Sequence, residues 1–189
     1  MKDIALHILD IAQNSVVAGA KLIVVETKEC RGSDRLTVTL TDNGCGMDSE
    51  TVEKLTDPWF TSRTTRRVGM GIPLLMQSAV QAGGWIDISS EPGNGTRVTA
   101  VFSLSHIDLP PKGDIAGVIS MLAGANPEMD FVYRHKYGEA EYIFDTREVK
   151  EVLEGVPLSE PKVIGYMKEM IAENLGELEQ QFTKYNKNH

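Results

Sequence analysis

The run Asp42-Asn43-Gly44-Cys45-Gly46-Met47 follows directly on the alternating segment Leu36-Thr37-Val38-Thr39-Leu40-Thr41, and it limits what the chain can build more than any other stretch. A strand that ends in Asp-x-Gly-x-Gly fixes a carboxylate at the strand end. It then supplies two residues without a Cβ, against whose bare backbone a flat ligand can lie. Taken alone, Asp42-Asn43-Gly44 reads as a hairpin turn. A calcium loop does not fit, because the acidic spacing after Asp42 is wrong for one. The neighbouring segments decide between a turn and a pocket floor.

Upstream, Asp3 is placed to cap a helix running to about Val17, with Ile4, Ile8, Ile11 and Ser15 on one stripe and Leu9, Ala12 and Val16 beside it. His7, Asp10 and Asn14 form a polar row next to that stripe, Asp10 and Asn14 one turn or roughly 6 Å apart. Each residue alone suits a solvated face. A carboxylate and an amide in stacked turns also suit a water and a hard metal ion. Lys21 to Thr27 reads as a strand, Arg31-Gly32-Ser33-Asp34 as the turn into the strand that leads to Asp42, and the two strands as a hairpin.

Downstream, a short helix is expected after Asp48-Ser49. Between Thr61 and Arg67, hydroxyls alternate with Arg63, Arg66 and Arg67, and no acid intervenes before Gly69-Met70-Gly71. Such a segment suits polyphosphate, and the helix Ile72 to Ala82 would add free N–H groups and a positive dipole end. The dinucleotide fingerprint is not met, since a third glycine is missing. After Gly83-Gly84, two more strands, Trp85 to Ser90 and Thr96 to Phe102, are joined through Glu91-Pro92-Gly93-Asn94-Gly95. Residues 1–105 therefore read as an α/β domain with helices on one sheet face.

In combination these residues resemble the GHKL ATPase superfamily, the ATP-binding domains of gyrase, heat-shock chaperones, histidine kinases and MutL. Asp10-x-x-x-Asn14 with Ser15 to Ala20 is most similar to the MutL helix box, and Asp42 to Met47 resembles the first glycine box. Pro58 to Arg63 resembles the phenylalanine box of histidine kinases, Gly69 to Ile72 their second glycine box, and Gly83 to Thr96 their closing hairpin. The resemblance implies an α/β two-layer sandwich that binds ATP with Mg²⁺. By it, Asn14 holds the metal, Asp42 accepts from the adenine amino group with Thr96 in support, and Gly44 and Gly46 let the nucleotide approach. Arg63, with the N–H groups of Gly69 and Gly71, meets the phosphates. Asp10 stands where the family's general base, usually Glu, aligns water. Being one methylene shorter, it implies retained binding with slow hydrolysis. Pro73 removes one N–H from the second glycine box's helix, and the short lid between Arg63 and Gly69 implies fast exchange.

Residues 105–113 read as a linker, and 113–189 as a small α+β unit: a helix at 114–123, a hairpin about Gly138, and helices at 147–154 and 161–182. Val163, Met167, Met170, Ile171 and Leu175 make an apolar stripe on the last helix, suited to packing on the first domain or to a partner or homodimer contact. His135 is a poor phosphoacceptor, because no His-Glu dimerisation helix is present, and His7 reads as a packing histidine. Cys30 and Cys45 make no metal-ligand spacing with the four histidines and read as reduced thiols.

The charge is uneven, with 10 Lys and Arg against 12 Asp and Glu over residues 1–105 and 9 against 15 beyond. A net charge of −8 disfavours nucleic acid as the main partner. No apolar run is long enough for a membrane span, and the start is amphipathic rather than signal-like, so a cytoplasmic location is expected. The expected function is a stand-alone Mg-ATP-binding protein kinase of the anti-sigma or histidine kinase type, acting on a partner protein through residues 113–189. The alternatives are an ATPase with Asp10 as general base and a non-catalytic nucleotide-sensing module.

Overall fold

The computed structural model describes residues 3–56 and 71–187. The chain forms α1 (Ile4–Val17), β1 (Leu22–Cys30), a single 3₁₀ turn (Arg31–Ser33), β2 (Arg35–Asp42), α2 (Ser49–Thr56), α3 (Gly71–Gln81), β3 (Trp85–Glu91) and β4 (Gly95–Ser103). Then follow α4 (Ile115–Ala125), β5 (Asp130–Tyr137), β6 (Ala140–Asp145), α5 (Thr146–Val152) and α6 (Pro161–Lys187). Every element expected from the sequence in the described residues is present, with ends shifted by a few residues.

One mixed sheet of six strands in the order β3-β4-β2-β1-β5-β6 carries the fold. β1 and β2 form the expected antiparallel hairpin, with Ile23 opposite Asp42. On its other edge β1 pairs in parallel with β5, from Leu22 opposite Asp130 to Glu29 opposite Tyr137. The strands of residues 113–189, grouped in the sequence as a unit of their own, thus extend the same sheet. The apolar run Leu22-Ile23-Val24-Val25 suits a strand with two neighbours better than an edge strand.

α1, α3, α4 and α6 cover one face of the sheet. Ile4, Ile8 and Ile11 of α1, Ile72 and Leu75 of α3, Ile119 and Leu122 of α4, and Met167 and Ile171 of α6 are buried there. They meet Ile23 and Val25 of β1, Leu36, Val38 and Leu40 of β2, Ala100 and Phe102 of β4, and Phe131 and Tyr133 of β5. The opposite face carries Lys28, Arg35, Asp87, Arg97 and Glu141, all exposed. The fold is therefore a two-layer α/β sandwich, helices on one side and a polar sheet surface on the other.

α1 is held at its start by two separate devices. Asp3 Oδ1 accepts from Leu6 N at 2.8 Å, the expected cap. The next free donors are met from far along the chain: Ile4 N donates to Pro111 O at 2.9 Å and Ala5 N to Lys112 O at 3.0 Å. The Pro-rich segment before α4 is thus docked on the N-terminus of α1, satisfying N–H groups that a helix cannot pair internally.

Candidate functional site

At the end of β2, Asp42 is buried, and both its oxygens are occupied by short hydrogen bonds. Ser15 Oγ on α1 donates to Oδ2 at 2.6 Å, and Gly44 N donates to Oδ1 at 2.8 Å. The carboxylate is therefore aimed by a helix on one side and by its own loop on the other. A carboxylate offers about four lone-pair sites, so each oxygen keeps capacity for a further donor. Thr96 of β4 is the direct cross-strand partner of Asp42, which puts the two side chains on one face of the sheet.

The loop after Asp42 is anchored at every turn. Asn43 Oδ1 accepts from Lys21 N at 2.7 Å and Leu22 N at 2.9 Å, and Cys45 N donates to Ala18 O at 2.9 Å. Gly93 N in the β3–β4 turn donates to Cys45 O at 2.7 Å. Gly46 has φ +67°, and a Cβ placed there would lie 1.9 Å from Glu91 O. A Cβ on Gly44 would lie 2.9 Å from Ala18 O. Both glycines are thus required by close backbone packing of the loop onto α1 and the β3–β4 hairpin, whatever else the bare backbone admits.

The opposite wall is made by α1 and α3. A Cβ on Gly71 would lie 2.9 Å from Asp10 Cβ, so the first turn of α3 abuts the polar row of α1. This brings the free N–H groups of a helix start beside Asp10, with Asn14 one turn further along. His7 of that row is buried; its Nε2 lies 3.0 Å from Ser78 Oγ on α3, and burial, foremost, lowers its pKa from the ordinary value. It joins α1 to α3, as a packing histidine does. Arg63 and Gly69, the other expected phosphate contacts, lie outside the described residues.

Sequence reasoning passed over two hydroxyls. Ser15 falls on the apolar stripe of α1 and is buried there, which is the signal, because a buried hydroxyl needs a partner. Ser90 of β3 accepts from Met47 N at 2.8 Å and lies 2.9 Å from both Gly95 O and Thr96 Oγ1. Nothing in local spacing marks it.

Residues 2–106 match the family described as "Histidine kinase-, DNA gyrase B-, and HSP90-like ATPase". The chain belongs to that family. Among its relatives, a putative sensor protein of Shewanella frigidimarina is 28% identical over 109 residues, covering 57% of this chain and 16% of that protein. The signal transduction histidine-protein kinase AtoS of Escherichia coli is 30% identical over 105 residues, covering 56% of this chain and 17% of that protein. Sensor histidine kinase ZraS of Klebsiella oxytoca is 33% identical over 78 residues, 41% of this chain and 16% of the kinase. The chain thus matches only 16–17% of the length of these relatives. Its fold is also that of the Aquifex aeolicus MutL ATPase domain complexed with ADP, at TM-score 0.51 and 18% identity over 82% of this chain and 70% of that one.

The family is one of ATPases, and the described residues around Asp42 fit a nucleotide. Asp42 is a buried acceptor held in place with lone pairs to spare, as an amino-bearing base requires. Among the described residues no group of three His, Cys, Asp or Glu side chains is placed to hold a metal. A Mg²⁺ ion here would take its remaining ligands from phosphate and water, with Asn14 as the protein ligand the sequence points to.

Proposed function

We propose that this chain binds Mg-ATP between α1, the Asp42 loop and the start of α3, and works in the cytoplasm as a regulatory protein kinase on a partner protein. The observation that carries the reading is the doubly held Asp42 opposite Thr96, a preset acceptor for the adenine amino group. Asn14 would hold Mg²⁺ on the phosphates; Arg63, Gly69 and Gly71 would meet them from the other side. The sensor kinases among the relatives support phosphoryl transfer over hydrolysis. Among the described residues no helix is long and apolar enough to cross a membrane.

The partner would meet the outer surface of residues 113–189. Val163, Met167 and Ile171 of the α6 stripe are used up inside the fold, whereas Val152, Val156 and Tyr166 are exposed. A second reading, hydrolysis, draws on the contact between Asp10 and Gly71, which sets a carboxylate at the helix start where the phosphates would lie.

Calorimetric titration with ATP, ADP and GTP, with and without Mg²⁺, tests the reading, together with phosphate release. Adenine-selective binding that weakens in Asp42→Asn is expected, with slow release. Equal affinity for ATP and GTP would remove the assignment of Asp42 to the base. Steady turnover lost in Asp10→Ala would replace the kinase by an ATPase.

A further inference from the structure

Ser90 stands on β3, a strand that carries none of the nucleotide contacts assigned above, yet its hydroxyl is the meeting point of three parts of the site. It touches the glycine loop at Met47 N (2.8 Å), the hairpin turn at Gly95 O (2.9 Å) and the Thr96 hydroxyl (2.9 Å). A serine hydroxyl has one proton to give and two lone pairs to fill. Met47 N can only donate, so it takes one lone pair. Gly95 O can only accept, so it takes the proton. The bond to Thr96 then has a single direction left: Thr96 Oγ1 donates, and Ser90 Oγ accepts through its second lone pair. With that, Ser90 is saturated.

Two consequences follow for the site. Thr96 has spent its proton on Ser90 and stands on the same side of the sheet as Asp42 with acceptor lone pairs only. The glycine loop and the β3–β4 hairpin, the two backbone segments between which Asp42 and Thr96 sit, are joined at one side-chain atom. Gly95 packs so tightly on β2 that a Cβ there would lie 2.0 Å from Asp42 O, so a movement of the hairpin is felt directly at Asp42.

We propose that Ser90 is a positioning residue for the base end of the nucleotide site, acting through Thr96 and the Met47 backbone without touching the ligand. The inference rests on the nucleotide reading above. Because Ser90 acts at the base and not at the phosphates, its loss weakens ATP and ADP alike. Because it acts through Thr96, the two substitutions do not multiply.

The test is calorimetric titration of the full chain with ATP and ADP for wild type, Ser90→Ala, Ser90→Thr, Thr96→Val and the double variant Ser90→Ala/Thr96→Val, with thermal melts alongside. Ser90→Ala is expected to weaken both nucleotides about tenfold, the scale of a lost part-buried hydrogen-bond arrangement. Ser90→Thr, which keeps the hydroxyl, stays within about twofold, and Ser90→Ala added to Thr96→Val costs less than about threefold. Should Ser90→Ala not melt cooperatively, Ser90→Cys, similar in size with a weak hydrogen-bonding group, takes its place. Native affinity in the Ser90 variant overturns the proposal, as does a loss confined to ATP or effects that multiply with Thr96→Val. Absence of adenine-nucleotide binding in the wild type would instead remove the nucleotide reading itself.

Discussion

Ser15 shows how one hydroxyl on an apolar helix stripe can set the chemistry of a site two elements away. It is buried and its proton goes to Asp42 Oδ2, so the carboxylate is aimed before any ligand arrives. Ser15→Ala is expected to cost about 1–3 kcal/mol, because it strips a partner from a buried charged group. Adenine-nucleotide affinity should fall with it, and a denaturant melt with a parallel titration measures both.

The buried histidines give the residue scale a pH dependence. His7 and His135 are both held below their ordinary value of 6.5, in each case chiefly by burial. Asp10 and Asp3 pull His7 partly back; for His135, Glu29 and Glu179 oppose the lowering and Lys112 adds to it. A group whose folded pKa is depressed contributes stability above its unfolded pKa and loses it as pH falls toward the folded value. Stability should therefore decline as pH is lowered from about 7 through 6.5, the ordinary imidazole value, before carboxylates titrate. His7→Gln, which can still reach Ser78, should flatten that slope in denaturant melts taken at successive pH values. Unchanged pH dependence would show that His7 is not among the groups responsible.

At the scale of elements, the glycine positions separate conformation from close packing. Gly19 has φ +73° just past α1, but a Cβ there would meet nothing within 4 Å. Gly46 has a similar φ, and its Cβ would fall on Glu91 O. Gly19→Ala should cost about 1 kcal/mol, the expense of a left-handed alanine alone. Gly46→Ala must also push the loop off the hairpin, and about 2 kcal/mol or more is expected, with lost nucleotide binding. Paired thermal melts compare the two; similar losses would mean that the loop and hairpin can part freely.

For the whole molecule, the question is whether residues 113–189 are a separate unit or part of one cooperative structure. β5 runs along β1 from Leu22 to Glu29, and α4 and α6 bury Ile119, Leu122, Met167 and Ile171 in the same core as α1. Lys112 adds a polar tie: its Nζ lies 2.7 Å from Glu29 Oε1 on β1 and 2.6 Å from Glu179 Oε1 on α6. Met167→Ala is expected to cost about 2–5 kcal/mol and to lower the melting of the whole chain, followed by far-UV dichroism and, in a Trp59→Phe background, by tryptophan fluorescence from Trp85 on β3. Two separated transitions, with only the later residues affected, would establish an independent unit.

The local pattern of the sequence determined the elements and the loop at the candidate site. Period-2 and period-3.6 runs, Asp3 before a helix and glycines after a strand act over a few residues, and they suffice to place α1, the β1–β2 hairpin and Asp42 at a strand end. Other features needed contacts between residues far apart in the chain. The parallel pairing of β1 with β5 joins residues more than a hundred positions apart, and an apolar strand does not name its partner. The bonds of Ser15 to Asp42 and of Ser90 to Met47 span 27 and 43 positions, and a serine's own neighbours say nothing of where its proton goes. Hydrophobic periodicity is a property of the chain, whereas a hydrogen bond between distant segments exists only once the sheet and helices have brought its two ends together.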